Sequence, residues 1–121
     1  MANKKILLID DEVDFSRLLK LTIEDTGEYT AFTANDWQTG LELVQKHRPD
    51  LVLLDMMMPG MTGLDLLKRI KQIAPTTPVA MVTAVWNEQE AKRTFEAGAY
   101  DYITKPVDFE YLRTALLVKL L

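Results

Sequence analysis

Five short apolar runs, each followed by a stretch of helical spacing, constrain this chain more than any other feature. They are Lys5–Ile9, Tyr29–Ala34, Leu51–Leu54, Pro78–Val82 and Tyr100–Thr104. Near-continuous apolar or branched character marks strands buried on both faces, hence a parallel sheet between two helix layers. Asp14 is positioned to cap a first helix, with Phe15, Leu18, Leu19, Thr22 and Ile23 at helical spacing and Gly27 as its stop. Asp36 opens a second helix through His47, with Trp37, Leu41 and Val44 in its stripe, and Pro49 ends the connection. Leu64, Leu67 and Ile70 mark a third, stopped near Ala74 and Pro75. Glu88–Ala97 is a weaker fourth, with Ala91 and Phe95 as its main apolar positions, and Asp108 caps a fifth from Phe109 onward. Strand and helix thus alternate five times without linker, repeat or low-complexity tract. Right-handed crossovers then leave few topologies.

The 121 residues fit one domain, taken as residues 1–121, and 48% hydrophobic content supports a core and opposes disorder. A net charge of −4 disfavours direct nucleic-acid binding. The absence of cysteine excludes disulfides and thiolate metal sites and suits a reducing compartment. The run Ile6–Ile9 is too short for a signal peptide or a membrane span, so we expect a soluble, cytoplasmic protein.

In a doubly wound sheet the ligand crevice lies at the carboxyl ends of the strands. Asp10 and Asp11 follow the first strand and Asp55 ends the third, before a loop broken by Pro59, Gly60 and Gly63. Thr83 follows the fourth strand and Lys105 the fifth. Three close carboxylates repel, and a divalent cation relieves that; all-oxygen ligands favour Mg²⁺ over zinc. A cation, a hydroxyl and an ammonium together suit a tetrahedral anion and phosphoryl transfer. A carboxylate can itself be the nucleophile, giving an aspartyl-phosphate. Asp55 is best placed for that role, and the Asp10–Asp11 pair for the metal.

These residues resemble the receiver domain of two-component response regulators. The motifs are IDDE at Ile9–Glu12, PDLVLLD at Pro49–Asp55, MPGMTG at Met58–Gly63, VTA at Val82–Ala84 and GAYDYITKP at Gly98–Pro106. The resemblance implies a flavodoxin-like (βα)5 fold with strand order 2-1-3-4-5. It implies Asp55 as phosphoacceptor, and Asp10, Asp11 and the Met57 backbone carbonyl as Mg²⁺ ligands beside it. Thr83 resembles the switch hydroxyl, Lys105 the phosphate-binding lysine and Tyr102 the aromatic that changes rotamer with Thr83. Ala84 leaves room beside the phosphoryl group, and Pro106 resembles a proline commonly cis in the family. Implied partners are a sensor histidine kinase or phosphotransfer protein and a downstream effector. The effector would read the face of the fourth helix, fifth strand and fifth helix. The reading is a signalling switch and not an enzyme acting on a separate substrate.

Other features carry competing readings. Met57 and Val85 resemble positions that tune access of the hydrolytic water, and two apolar side chains there suggest a long-lived phosphate; simple loop packing is the alternative. Trp37 reads as a half-buried packing residue before a partner contact, and Trp86 as either a reporter or gate of the switch or a plain loop aromatic. His47 reads as a capping or solvated residue and Met56–Met58 as loop packing. Phe109, Leu112, Leu116 and Leu120, with Tyr111, Ala115, Val118, Leu117 and Leu121, give the last helix more apolar surface than one inward face needs. A partner, a second copy in a homodimer, or a further domain would use the excess. Two rival functions are a Mg²⁺-dependent phosphatase with an aspartyl-phosphate intermediate and a pseudo-receiver interaction module. Adjacent acids in place of a DxD pattern, and no cap insertion, oppose the first. The complete acid, hydroxyl and lysine set opposes the second.

Overall fold

A computed structural model describes residues 3–84 and 86–120; Val85 and Leu121, both used above, lie outside the described residues. Five strands form the sheet: β1 (Lys4–Ile9), β2 (Tyr29–Ala34), β3 (Leu51–Asp55), β4 (Val79–Thr83) and β5 (Asp101–Thr104). They are parallel, in the order β2-β1-β3-β4-β5, which is the order the resemblance implied. The helices are α1 (Val13–Glu24), α2 (Trp37–His47), α3 (Gly63–Ile73) and α4 (Glu88–Glu96), with a final helical stretch from Phe109 to Leu120. A small antiparallel hairpin, Met57–Met58 against Met61–Thr62, links β3 to α3.

Alternation along each strand divides the core in two. Leu7, Ile9, Val52, Leu54, Val79 and Met81 face α2, α3 and α4 through Val44, Leu66, Leu67, Ile70 and Ala91. Their neighbours Ile6, Leu8, Leu51, Leu53, Ala80 and Val82 face α1 and the last helix through Leu19, Ile23, Leu112, Leu116 and Leu117. Burial on both faces is why the runs carry no polar alternation.

Asp36 caps the second helix as the sequence leads one to expect, and Thr62 and Asn87 cap the third and fourth. Asp36, Thr62 and Asn87 accept hydrogen bonds from the backbone N–H of Thr39, Asp65 and Glu90. The first helix differs from expectation. It starts at Val13, and Asp14 sits inside its first turn. The Asp10 carboxylate instead takes the Glu12 N–H at 2.8 Å, so the site acid organises the helix entry. Leu18 is exposed because the inward stripe runs through Ser16, Leu19 and Ile23. Phe95, expected as a main apolar position of the fourth helix, is exposed as well; Ala91 and Thr94 face inward.

The last helix begins with an α turn capped by Asp108, then widens to π-helical winding over Leu112–Leu117 and tightens to a 3-10 turn over Val118–Leu120. Winding with i→i+5 bonds brings residues four and five apart to one side, so Leu112, Leu116 and Leu117 all reach the core. Phe109, Tyr111 and Val118 remain exposed. Among the described residues no helix is long and apolar enough to cross a membrane.

Candidate functional site

Strand register aligns the polar groups at one rim. Ile9 pairs with Leu54, Asp55 with Val82, and Thr83 with Thr104, so the residues that end or follow these strands share one edge. Asp10, Asp55 and Thr83 are buried there, with Asp55 only 5% exposed, while Asp11 is exposed. One carboxylate oxygen from each of Asp10, Asp11 and Asp55 lies within 4.8 Å of the others.

That crowding sets the electrostatics. Burial first, then the neighbouring Asp10 charge, pushes the Asp55 carboxyl from 3.8 up to about 7, against the Met57 N–H and the Lys105 charge. The Met57 N–H donates to Asp55 Oδ1 at 3.2 Å. A buried acid crowded by two others is the environment a divalent cation relieves, and an all-oxygen donor set fits Mg²⁺.

Lys105 lies on the other side of Asp10. Its Nζ is 2.9 Å from Asp10 Oδ2 and 2.7 Å from Glu12 Oε1, and lies 4.5 Å from the Phe15 ring centroid. Burial works to lower the lysine pKa, but bonds to Glu12 and Asp10 and the surrounding carboxylates outweigh it, and the pKa is raised. Lys105 is therefore a fixed cation. The following peptide, to Pro106, is cis, as the resemblance implied.

The backbone of Asp10 is held as firmly as its side chain. Its carbonyl accepts from Asn35 Nδ2 at 2.8 Å and from Ser16 Oγ at 3.4 Å, and its N–H donates to the Ala34 carbonyl. From sequence, Asn35 and Ser16 have no role, Glu12 is only the end of the IDDE motif, and Phe15 is only an apolar position of the first helix. Asn35 follows the second strand as Asp10 follows the first, so its position at the rim was available as a signal. The other three act only through the packed first helix.

Tyr102 is 7% exposed and turned inward, in hydrogen-bonding reach of the Thr83 side chain and the Asn87 backbone. Burial and the Glu90 charge raise its pKa against those bonds. Ala84, beside Thr83, is exposed. In the hairpin, Met56 and Met58 are buried, which bears out loop packing for two of the three methionines, while Met57 is 71% exposed. Gly63 returns the loop against Met56, its N–H donating to the Met56 carbonyl at 3.0 Å. A Cβ at Gly63 would lie 2.6 Å from Met56 Cα, so this close approach requires glycine.

Trp37 is half-buried, with the Arg69 guanidinium 5.6 Å from its ring centroid, and His47 stacks on Phe32 at 4.0 Å. Trp37 opens α2 with its ring edge toward Gly60 in the loop after Asp55, and His47 packs at the other end of that helix.

A family model described as the response regulator receiver domain matches residues 6–117. The sporulation initiation phosphotransferase F of Bacillus subtilis is 40% identical over 116 residues, covering 96% of this chain and 93% of that protein. The response regulator protein PilR of Pseudomonas aeruginosa is 41% identical over 113 residues, covering 93% of this chain. The chain spans only 25% of PilR's own length. Among solved structures, the Vibrio cholerae chemotaxis protein CheY4 superposes with a TM-score of 0.89 at 30% identity, covering 99% of this chain and 100% of that one.

Proposed function

Because the chain belongs to the response regulator receiver domain family, we propose that Asp55 accepts a phosphoryl group from the phosphohistidine of a sensor kinase or phosphotransfer protein. The observation that carries this is the buried Asp55 with two further acids and a fixed lysine at one sheet rim. An Asp55 carboxylate oxygen attacks phosphorus, the P–N bond breaks, and the histidine leaves with the electron pair. Hydrolysis of the acyl phosphate later returns the carboxylate. Asp10, Asp11, Asp55 and the Met57 carbonyl would hold Mg²⁺, which when bound supplies charge neutralisation for the acids and the phosphoryl oxygens.

Lys105 supplies the second cation, redirected from Asp10 toward the phosphoryl oxygens. Thr83 supplies a hydroxyl donor, and Ala84 leaves space beside it. Tyr102 is already inward, so the bound state selects an arrangement that the resting chain visits. An added charge of about −1.5 to −2 biases that equilibrium. The readout surface is α4, β5 and the last helix, where Phe95, Tyr100 and Tyr111 are exposed. An effector or a second copy docks there. This domain, residues 1–121, acts in the cytoplasm as a switch whose only catalysis is its own phosphorylation and dephosphorylation, without touching nucleic acid or membrane.

The exposed apolar Met57 lies next to the acceptor and disfavours an ordered attacking water there, so we assign the phosphate a long lifetime. Borohydride reduction of the phosphorylated chain, followed by peptide mapping, tests the assignment of Asp55. A reduced residue at position 55 supports it, and reduction at position 10 or 11 contradicts it.

A further inference from the structure

Trp86 and Tyr102 meet edge to face, with ring centroids 5.3 Å apart and planes at 87°. This is the favoured geometry for an aromatic pair. Trp86 is 59% exposed while Tyr102 is 7% exposed, so the tryptophan lies on the outer side of the pair. Its neighbour Asn87 caps α4, its side chain accepting the Glu90 N–H at 3.0 Å. Tyr102 stands on β5 opposite Met81, two residues before Thr83 on the paired strand. One short segment thus joins the start of α4, the Tyr102 ring and the Thr83 hydroxyl.

We propose that Trp86 is a positioning residue that closes over Tyr102 and holds it inward against Thr83 before any phosphoryl group arrives. The proposal rests on the reading of Asp55 as acceptor and Thr83 as its partner. A threonine hydroxyl has one proton and two acceptor sites, so Thr83 can keep Tyr102 and still donate to a phosphoryl oxygen. Tyr102 has two places to go, the inner pocket and solvent. An edge-to-face contact on its outer side weights the inner one. An alanine at position 86 removes that weight while leaving the strands and the Asn87 cap in place. The fraction of chains with Thr83 and Tyr102 ready for the phosphoryl group then falls, and apparent affinity falls with it.

The test uses the chain labelled with 3-fluorotyrosine, its Tyr102 resonance assigned through Tyr102→Phe, in the wild type, Trp86→Ala and Trp86→Phe. Fluorine NMR without any donor reads the position of Tyr102. Beryllofluoride titration with Mg²⁺ reads the consequence for the site. We expect Trp86→Ala to move the Tyr102 resonance toward its solvent-exposed position and to weaken beryllofluoride binding about 2- to 10-fold. Trp86→Phe keeps an aromatic edge and restores both. A Tyr102 resonance unmoved in Trp86→Ala overturns the proposal, as does a moved resonance with unchanged beryllofluoride affinity. A wild type that binds no beryllofluoride overturns the reading of the site on which the proposal rests. The fluorine spectra then still decide whether Trp86 holds Tyr102.

Discussion

Lys105 Nζ sits 2.9 Å from Asp10 Oδ2, pairing the fifth strand's cation with the first strand's acid across the crevice. Glu12 completes the clamp at 2.7 Å. The lysine that would meet a phosphoryl group thus neutralises a carboxylate of the candidate metal site. With Asp10, Asp11 and Asp55 holding a divalent cation, Asp10 would no longer depend on the lysine, which would then be free to meet a phosphoryl oxygen.

Lys105→Met should therefore injure the chain twice. It leaves the buried Asp10 carboxylate without its cation, costing about 1–3 kcal/mol of stability at neutral pH. It also removes a donor from the phosphoryl site. Urea denaturation checks the first, and Mg²⁺ should recover part of the loss. Labelling by a small phosphoryl donor checks the second, with the rate reduced at least tenfold, about 1.4 kcal/mol of barrier.

The raised Asp55 pKa makes stability depend on pH with a definite sign. The folded chain holds this proton up to about pH 7, whereas an unfolded aspartate releases it near 3.8. The associated stability is present below about pH 4, is lost as pH rises through about 7, and stays lost above. Asn carries no such charge. Metal-free Asp55→Asn should then gain about 1–3 kcal/mol relative to the wild type at about pH 8, and much less at about pH 4. Thermal melts at both pH values check this. Saturating Mg²⁺ should narrow the gap at the higher pH.

Gly63→Ala forces a methyl group against the Met56 backbone, where no flexible side chain can yield. The loop after Asp55 must shift. We expect a loss of about 1–3 kcal/mol, together with weaker Mg²⁺ binding, because the Met57 carbonyl moves with the loop. Denaturation and a Mg²⁺ titration read the two effects separately.

Met57→Asn places a polar side chain beside the acceptor, in a position already exposed and so tolerant of change. Phosphate release should speed up by about 3- to 10-fold, on the scale of one hydrogen bond to water. A phosphate-release time course reads it, and an unaltered half-life would remove Met57 from the control of hydrolysis.

The sheet and the site acids were legible because a parallel sheet turns strand ends into neighbours. Once Leu51–Leu54 reads as buried, Asp55 has to sit at the rim, and Asp10, Thr83 and Lys105 follow by the same logic. What holds them was not legible. Glu12 and Phe15 reach Lys105 across 93 and 90 residues of chain, through the packing of α1. Leu18 fits the helical stripe by spacing, yet the helix is rotated so that Ser16 takes the inward place. In the last helix, leucines at 112, 116, 117 and 120 satisfy more than one winding, so periodicity alone could not choose between α and π. Trp86 read equally as a reporter or gate of the switch and as a plain loop aromatic, and only the folded chain shows it edge to face with Tyr102.

On the proposed reading, Asp55 is the acceptor at a metal-assisted phosphoryl site. Intact mass after incubation with acetyl phosphate and Mg²⁺, beside Asp55→Asn and a sample with EDTA, tests it most directly. One added phosphoryl group on the wild type, absent from both controls, is the predicted result. A phosphoryl group on Asp55→Asn as well would contradict it and move the acceptor to Asp10 or Asp11.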